Sequence, residues 1–176
     1  MPSAGEIYRA LAPAVLGYLR AQRAPEPEDV LGEVFLQVAR DLGTFRGDDD
    51  ALRRWVFAIA HNRLLDARRR VARRPATADR PVPEQAAPPP DVGLDPALVD
   101  ALDELTPDQR EVVVLRFVAD LSLADVAQLT RRRVGAVKAL QHRALETLAR
   151  CLSTGPPDEG PPAGLSEKDV SSPPVS

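Results

Sequence analysis

A proline-rich stretch near the middle of the chain divides it into two parts that cannot share a helix. Residues 75–97 include three consecutive prolines and show no apolar periodicity. Proline lacks the backbone N–H that helices and sheets need, so this stretch favours a semi-extended linker. We therefore predict a first domain over residues 5–74, a flexible linker over 75–97 and a second domain over 98–152. Residues 153–176 are rich in Pro, Gly, Ser and acids, which predicts a disordered tail.

The first part carries apolar residues at helical spacing, which predicts three or four helices. The stretches 7–22, 26–42 and 51–74 each place apolar side chains on one stripe. Pro13 lies inside the first stretch, where we expect a kink or a later helix start. Pro27, by contrast, suits the first turn of the second helix. The first domain should therefore consist of helices that pack their apolar stripes together.

The second part contains the signals of a helix-turn-helix. Thr106, with Gln109 three residues on, predicts a capping box before a helix that buries Phe117 among its apolar residues. Ser122 is expected to cap a short helix, and a basic helix begins at Val134 after a polar turn. A short helix, a tight turn and a basic helix form the pattern of a DNA-binding helix-turn-helix.

The composition favours helices over sheets. Aromatic residues make up only 4% of the chain, and β-branched and aromatic runs are few. We predict an all-α protein of two small helical domains. No apolar run approaches the roughly 20 residues of a membrane span, and the start lacks the features of a secretory signal. We therefore expect a cytoplasmic protein with no membrane partner.

The sequence offers no arrangement of residues for catalysis or for a bound metal. Cys151 is the only cysteine, so it can form neither an internal disulfide nor a structural zinc site. The acidic run at residues 48–50 lacks the calcium-loop pattern. A paired nucleophile and base, and a phosphate-binding glycine loop, are also missing. We expect no enzymatic activity, no cofactor and no metal.

The charges are distributed in a way that favours nucleic-acid binding, although the formal net charge is −3. Basic residues cluster at the end of the first domain and around the predicted helix-turn-helix. Cations near a helix C-terminus also stabilise the helix itself, so an ordinary solvated face stays an alternative. In the first domain, the side chains expected to meet an unpaired base or the DNA backbone are Arg53, Arg54, His61, Asn62, Arg63 and Arg68. In the second, the candidates for phosphate and base-edge contacts are Arg131, Arg132, Arg133, Lys138, Gln141, His142 and Arg143.

Four segments of the chain are similar, in order, to the segments of one known family. Residues 27–36 resemble an Asp-x-x-Gln-Glu-x-Phe segment, and residues 55–66 resemble Trp-Leu-x-x-Ile-Ala-Arg-Asn. Residues 105–113 resemble Leu-x-Pro-x-Gln-Arg-Glu, and residues 122–148 resemble the helix-turn-helix that follows it. The family that has these four segments is the extracytoplasmic-function (ECF) group of the sigma-70 family of RNA polymerase sigma factors, and the chain resembles it.

The resemblance implies that the chain binds core RNA polymerase and directs it to promoters. Region two would melt the minus-ten element, with residues 43–54 holding a flipped base, and would dock on the clamp helices of the β′ subunit. The residues implied in that docking are Asp29, Glu33, Phe35 and Leu36. Region four would bind the minus-thirty-five element with the helix from Val134, and its apolar groove would take the flap tip of the β subunit. An anti-sigma factor is a further partner that the family makes plausible.

The chain departs from the family pattern in four places, of which the mildest is His61 where the family has Arg. Gly32 stands where the family has Gln, and residues 136–141 differ from the usual Thr-Val-Lys-Ser-Arg-Leu of the recognition helix. The usual glycine of the turn is missing near Thr130. Two other interpretations stay open at this point. One is a helix-turn-helix regulator that acts without polymerase, and the other is a degenerate sigma-like module that binds only proteins.

Overall fold

The computed structural model describes residues 2–73 and 96–153, and this part of the chain contains helices and turns but no strand. A short 3-10 turn at Leu42–Thr44 lies between the second and third helices. In chain order the α-helices are α1 (Ala4–Ala21), α2 (Pro27–Asp41), α3 (Asp49–Ala72), α4 (Pro96–Asp103), α5 (Pro107–Phe117), α6 (Leu123–Leu129) and α7 (Val134–Ser153). The all-α prediction is confirmed. The predicted linker, apart from residues 96–97, and the predicted tail beyond residue 153 lie outside the described residues.

Helices α1, α2 and α3 pack against one another around a shared apolar core. Val15, Val34 and Val56 come from the three different helices, and all three are fully buried. Tyr18 of α1 meets Phe57 of α3 edge to face, with ring centroids 5.8 Å apart. The apolar stripes of the sequence are therefore the faces on which the three helices meet.

Helix α1 begins at Ala4, earlier than the spacing of its apolar residues suggests. The Ser3 hydroxyl accepts a hydrogen bond from the Glu6 backbone N–H at 3.3 Å, and the Glu6 carboxylate accepts one from the Ser3 N–H at 2.7 Å. This capping box satisfies two N–H groups that would otherwise lack partners, and the helix then continues through Pro13. A later start caused by Pro13, one of the two outcomes expected, was therefore wrong.

Helices α4 to α7 form a second bundle. Val112, Leu115 and Val137 of this bundle are fully buried. The predicted capping box at the start of α5 is confirmed. The Gln109 N–H donates to the Thr106 hydroxyl at 3.3 Å, and the Thr106 N–H donates to the Gln109 side chain at 3.1 Å. Local capping thus sets the start of α5 as the sequence predicts.

The predicted cap of α6 is also confirmed. The Asp125 N–H donates to the Ser122 hydroxyl at 3.1 Å, and the Asp125 carboxylate accepts from the Ser122 N–H at 3.3 Å. Helices α6 and α7 are joined by the turn at residues 130–133, and together they form the helix-turn-helix. The recognition helix α7 packs through Val137, which leaves its opposite face free of the core.

Phe117 is not buried, and the prediction that α5 hides it was wrong. Its side chain is 57% exposed, because Val113 and Val114 fill the inward positions of α5 and Phe117 ends the helix. It borders an apolar groove of about 210 Å³, which α4, α5 and α7 also line. The second bundle therefore carries an exposed apolar surface beside its core.

The two bundles contact each other, since α1 touches α5 and α3 touches α6. The buried residues of both belong to one contiguous apolar cluster. Among the described helices, none is both long enough and apolar enough to cross a membrane.

Candidate nucleic-acid interface

The loop before α3 has a fixed shape. Phe45 stacks on Trp55, with ring centroids 5.0 Å apart and ring planes 28° apart. Asp48 caps α3 by accepting a hydrogen bond from the Ala51 N–H at 2.8 Å. A Cβ on Gly47 would lie 2.7 Å from the Ala51 Cβ and 2.9 Å from the Phe45 ring, so only glycine fits there. This loop is the segment that the family resemblance assigns to a flipped base.

An open cleft of about 380 Å³ lies between α3 and the helix-turn-helix. Its α3 wall contains two predicted DNA-binding residues, Arg54 and Asn62. Its other wall contains Asp125 of α6 and a third predicted residue, Arg131. Predicted binding residues of both domains thus face the same cleft.

Two arginines of α3 reach across to the second bundle. Arg54 forms an ion pair with Asp125, with 3.0 Å between nitrogen and oxygen, and Arg53 donates to the Ala119 carbonyl at 3.3 Å. Burial acts to raise the pKa of Asp125, but hydrogen bonds from Ser122 and Arg54 outweigh it and hold that pKa below its usual value. The Asp125 hydrogen bond also raises the pKa of Arg54. Asp125 is therefore ionised, and both guanidinium groups have protein partners in this arrangement.

His61 lies in the contact between the bundles and is only 6% exposed. Its Nδ1 lies 3.0 Å from the Tyr18 hydroxyl and 3.6 Å from a carboxylate oxygen of Glu111 on α5. Burial, with a smaller effect of Arg68, lowers the pKa of His61, while burial raises the pKa values of Tyr18 and Glu111. His61 is therefore neutral at neutral pH, and its predicted contact with DNA requires that the bundles separate.

The other predicted residues of α3, which are Asn62, Arg63 and Arg68, differ in whether their side chains have partners within the protein. Asn62 is exposed, and it borders the cleft. Arg63 donates twice to the Gln37 side chain, at 2.6 and 3.1 Å, and Arg68 donates to the Gln22 carbonyl. The latter two guanidinium groups therefore stabilise the first bundle, and Asn62 is better placed to meet a base.

Basic side chains are exposed along α7 and in the turn before it. Arg133, Lys138 and Arg143 are exposed, and Arg131 is exposed at the turn before them. Val137 and Ala144 of the same helix are fully buried against the other helices of the bundle. The recognition helix thus has the arrangement that groove binding requires, an apolar packed side and a cationic outer side.

Three predicted residues of the helix-turn-helix already have side-chain partners. Arg132 pairs with Asp108 at 2.7 Å, and the Gln141 side chain accepts from Arg116 at 3.2 Å. His142 is exposed beside Glu146, one turn further along α7, at 3.3 Å. Gln141 must exchange its Arg116 partner if it is to pair with a base edge.

The turn of the helix-turn-helix is closed without glycine. Arg131 adopts a positive φ of 54°, the left-handed conformation that glycine adopts most easily. The Arg132 N–H then donates to the Ala127 carbonyl at 2.8 Å, which satisfies the end of α6. The turn therefore forms with an arginine in a conformation that costs a residue with a side chain more than it costs glycine.

The four predicted polymerase-binding residues occupy different positions on α2. Asp29 and Leu36 are exposed, with Leu36 at 63%. Glu33 is half-buried and pairs with Arg70 at 3.0 Å. Phe35 is 9% exposed, and its ring lies 4.9 Å from the Tyr8 ring, measured between centroids. Phe35 therefore packs beneath the exposed surface of α2.

Sequence reasoning missed several residues of these surfaces. Asp125 and Glu111 pair with α3 across the bundle contact, and Tyr8 extends the α2 surface while being 47% exposed. The pairs are distant in sequence, so no local pattern signals them; the offset of Tyr8 from the apolar stripe of α1 is a weak signal. Among the described residues, no three His, Cys, Asp or Glu side chains come together to hold a metal ion.

The fold and the exposed basic helix define the chain as a two-bundle helical protein with a DNA-binding helix-turn-helix. The family model for sigma-70 region 2 matches residues 7–74, and the model for sigma-70, region 4 matches residues 96–148. The chain is 34% identical to the ECF RNA polymerase sigma factor BldN of Streptomyces coelicolor, over 84% of this chain and 60% of BldN. It is 33% identical to the RNA polymerase sigma factor CarQ of Myxococcus xanthus, over 84% of this chain and 87% of CarQ.

A solved structure shares the fold. The sigma factor RpoE in complex with the anti-sigma factor NepR, from Bartonella quintana, superposes with a TM-score of 0.65 at 21% identity, covering 86% of this chain and 97% of RpoE. The chain belongs to the sigma-70 family of RNA polymerase sigma factors, in its ECF group. The resemblance drawn from the four sequence segments is thereby confirmed.

Proposed function

We propose that this chain binds core RNA polymerase in the cytoplasm and directs it to promoters through two DNA contacts, one in each domain. The observation that carries the proposal is the exposure of Arg133, Lys138 and Arg143 around the recognition helix α7, whose Val137 and Ala144 are buried. Such a face matches the major groove and its phosphates. Residues 5–74 act as region two and residues 98–152 as region four.

The first domain captures an unpaired base of the minus-ten element. This is supported by the loop that Gly47 and the Phe45–Trp55 stack hold in shape, next to exposed Asn62. Extruding a base costs a few kcal/mol, and a preformed loop avoids adding its own ordering cost. Asn62 can donate to and accept from a base edge, so it is the side chain expected to read the base.

Polymerase docks on the exposed surface of α2. Asp29 and Leu36 offer a carboxylate and an apolar side chain, and Tyr8 adds an aromatic ring beside them. This mixture suits the clamp helices of β′, since aromatic and aliphatic anchors with a charged rim are typical of protein interfaces. The apolar groove beside Phe117 is the docking surface for the β flap tip. The chemistry of RNA synthesis belongs to the polymerase, and this chain supplies only promoter recognition.

An anti-sigma factor is the second protein partner that we propose. RpoE was solved with NepR, and CnrH, which shares this fold with a TM-score of 0.59 at 23% identity, was solved with the cytosolic domain of CnrY. The α2 surface and the groove of the second domain are the candidate binding sites. A partner there would compete with polymerase.

Transcription in vitro tests the proposal. Core polymerase is mixed with the full chain and a library of genomic promoter fragments, and the transcripts are sequenced. We expect start sites that share two sequence elements and that vanish with Asp29→Lys but persist with Asp41→Lys, the matched exposed acid at the other end of α2. Transcripts that are independent of the chain, or a chain that fails to associate with core polymerase, would refute it.

A further inference from the structure

Two adjoining cavities lie between α3 and the helix-turn-helix. The first, of about 380 Å³, has Trp55 on its α3 wall, and the second, of about 300 Å³, contains Asp66 and Arg69. Asn62 and Arg131 line both cavities, so these two side chains stand where the cavities meet. Sites for small ligands begin at about 300 Å³. The cleft is therefore large enough for a small molecule that contacts α3 on one side and the helix-turn-helix on the other.

Both acidic side chains that line these cavities have partners of their own. One oxygen of Asp125 pairs with Arg54 at 3.0 Å, and its other oxygen accepts from the backbone and hydroxyl of Ser122. Asp66 pairs with Arg69, with 3.2 Å between oxygen and nitrogen. Neither carboxylate therefore requires a further cation, and the cleft repels an anion less than two unpaired acids would.

Asn62 and Arg131 supply polar groups that are not used inside the protein. Both side chains are exposed, and within the described part of the chain neither has a hydrogen-bond or ion-pair partner. A guanidinium group binds phosphate through two parallel hydrogen bonds, and an amide beside it adds a donor. The place where the two cavities meet is therefore suited to a phosphate group.

Trp55 gives the first cavity an aromatic wall. Its side chain is half-buried, and Phe45 stacks on it with ring centroids 5.0 Å apart. Trp55 and Asn62 are seven residues apart on α3, which is about 10 Å along the helix axis. One nucleotide covers that length from base to phosphate, and aromatic side chains are the usual platforms for bases. The cleft thus offers a base platform and a phosphate site at the spacing of a nucleotide.

We propose that this cleft binds a free nucleoside monophosphate, with the base against Trp55 and the phosphate between Asn62 and Arg131. The ligand contacts both domains, because Trp55 and Asn62 belong to α3 and Arg131 belongs to the turn before α7. The proposed function assigns Asn62 and Arg131 to DNA, so a bound nucleotide excludes a DNA strand from both. The inference rests on the proposed function for this competition alone.

Fluorescence of Trp55 tests the binding directly, since it is the only tryptophan of the chain. Each of the four ribonucleoside 5′-monophosphates is titrated into the full chain, with the free nucleosides and inorganic phosphate as partial ligands. We expect saturable quenching by at least one monophosphate, a weaker effect of its nucleoside and none of phosphate alone. The absence of saturable quenching by every monophosphate, together with no binding in equilibrium dialysis, would overturn the inference.

Substitutions of Arg131 test the phosphate site. Arg131→Ala should weaken binding of the monophosphate about tenfold, because charge-assisted hydrogen bonds are lost, and Arg131→Lys should recover part of the affinity. Arg40→Ala is the control, an exposed arginine on α2 outside both cavities, and it should bind as the wild type does. Circular dichroism checks that each variant is folded. Equal affinities of Arg131→Ala and the wild type would show that the phosphate does not lie on Arg131.

A labelled single strand of DNA distinguishes a free nucleotide from a nucleotide within DNA. The monophosphate should displace the strand from the full chain, with half of the effect near its own Kd. Quenching of Trp55 by the strand and by none of the free monophosphates would refute the inference and leave the proposed function intact. Quenching by a monophosphate that does not displace the strand would refute the competition. Quenching by a monophosphate without promoter-dependent transcription would support the inference and count against the proposed function alone.

Discussion

The two helices of this sigma factor that we propose to contact DNA, α3 and α7, differ in how accessible their basic side chains are. The outer face of α7 carries exposed cations, whereas α3 has its basic residues paired and His61 buried against the second domain. On the proposed function, DNA phosphates would meet exposed cations on α7, whereas a DNA strand would have to displace the contacts that cover α3.

Replacing a core aromatic should have the largest effect. Phe57→Ala removes a fully buried ring from the first bundle, and the expected loss is about 3–5 kcal/mol of unfolding free energy. Phe117→Ala, at a ring that is 57% exposed, should cost under about 0.5 kcal/mol. Chemical denaturation measures both. Equal losses would mean that Phe57 and Phe117 do not differ in burial as described above.

Gly47→Ala should distort the loop before α3. The new Cβ meets Ala51 and Phe45 at 2.7 and 2.9 Å, and relieving such overlap costs about 1–3 kcal/mol. Gly43→Ala is the control, because nothing lies within 4 Å of its added Cβ. Thermal unfolding and Trp55 fluorescence should be altered in Gly47→Ala and unaltered in Gly43→Ala. An unaltered Trp55 environment in Gly47→Ala would show that the loop is not fixed.

Removing a cation from α7 should weaken duplex binding through the phosphates. Lys138→Ala is expected to lower the slope of log affinity against log salt by about 1, since one phosphate contact is lost. Arg63→Ala should change the slope little in the free chain, because Arg63 is bonded to Gln37. Fluorescence anisotropy over a salt series measures both. A larger change of slope in Arg63→Ala than in Lys138→Ala would mean that α3, and not α7, is the accessible helix.

Arg131→Gly should change stability only modestly. Glycine adopts the left-handed conformation of the turn without strain, so a gain of about 1 kcal/mol is expected. Duplex affinity should nevertheless fall, because an exposed cation is lost. Denaturation and anisotropy on the same sample separate the two effects. A loss of stability would show that the Arg131 side chain contributes more than its backbone conformation costs.

Lowering the pH should reduce the free energy of unfolding through protonation of His61. Because burial lowers the folded-state pKa of His61, stability is expected to fall as pH drops below the unfolded value, about 6.5, and through the folded value. Glu111 has a raised pKa and acts in the opposite sense, so the measurement is made in Glu111→Gln. Denaturation between pH 8 and 5 should show the fall, and His61→Asn should abolish it.

Local features of this fold could be predicted from the sequence, and contacts between distant residues could not. The caps at Thr106 and Ser122 depend on neighbours three residues away, so the sequence shows them directly. The pair between Arg54 and Asp125 joins residues 71 positions apart, and the burial of His61 depends on Tyr18 and Glu111. Such contacts arise only when the helices have packed, which is why His61 was expected on the surface.

The family could be recognised from the sequence because each of its four segments is a short run of residues that can be read without knowing how the helices pack. The turn shows the limit of that recognition, since the sequence lacks a glycine near Thr130 and Arg131 adopts the left-handed conformation there. The individual DNA and polymerase contacts stay predictions, because they depend on groups that meet only in the assembled complex.

Promoter melting tests the central claim most directly. Permanganate reactivity of thymines is measured on a promoter fragment selected by transcription, with core polymerase alone, with the full chain added, and with Asn62→Ala. We expect reactive thymines in the minus-ten element only when the full chain is present, and markedly fewer with Asn62→Ala. Thymines that stay unreactive with the full chain and polymerase together would contradict it.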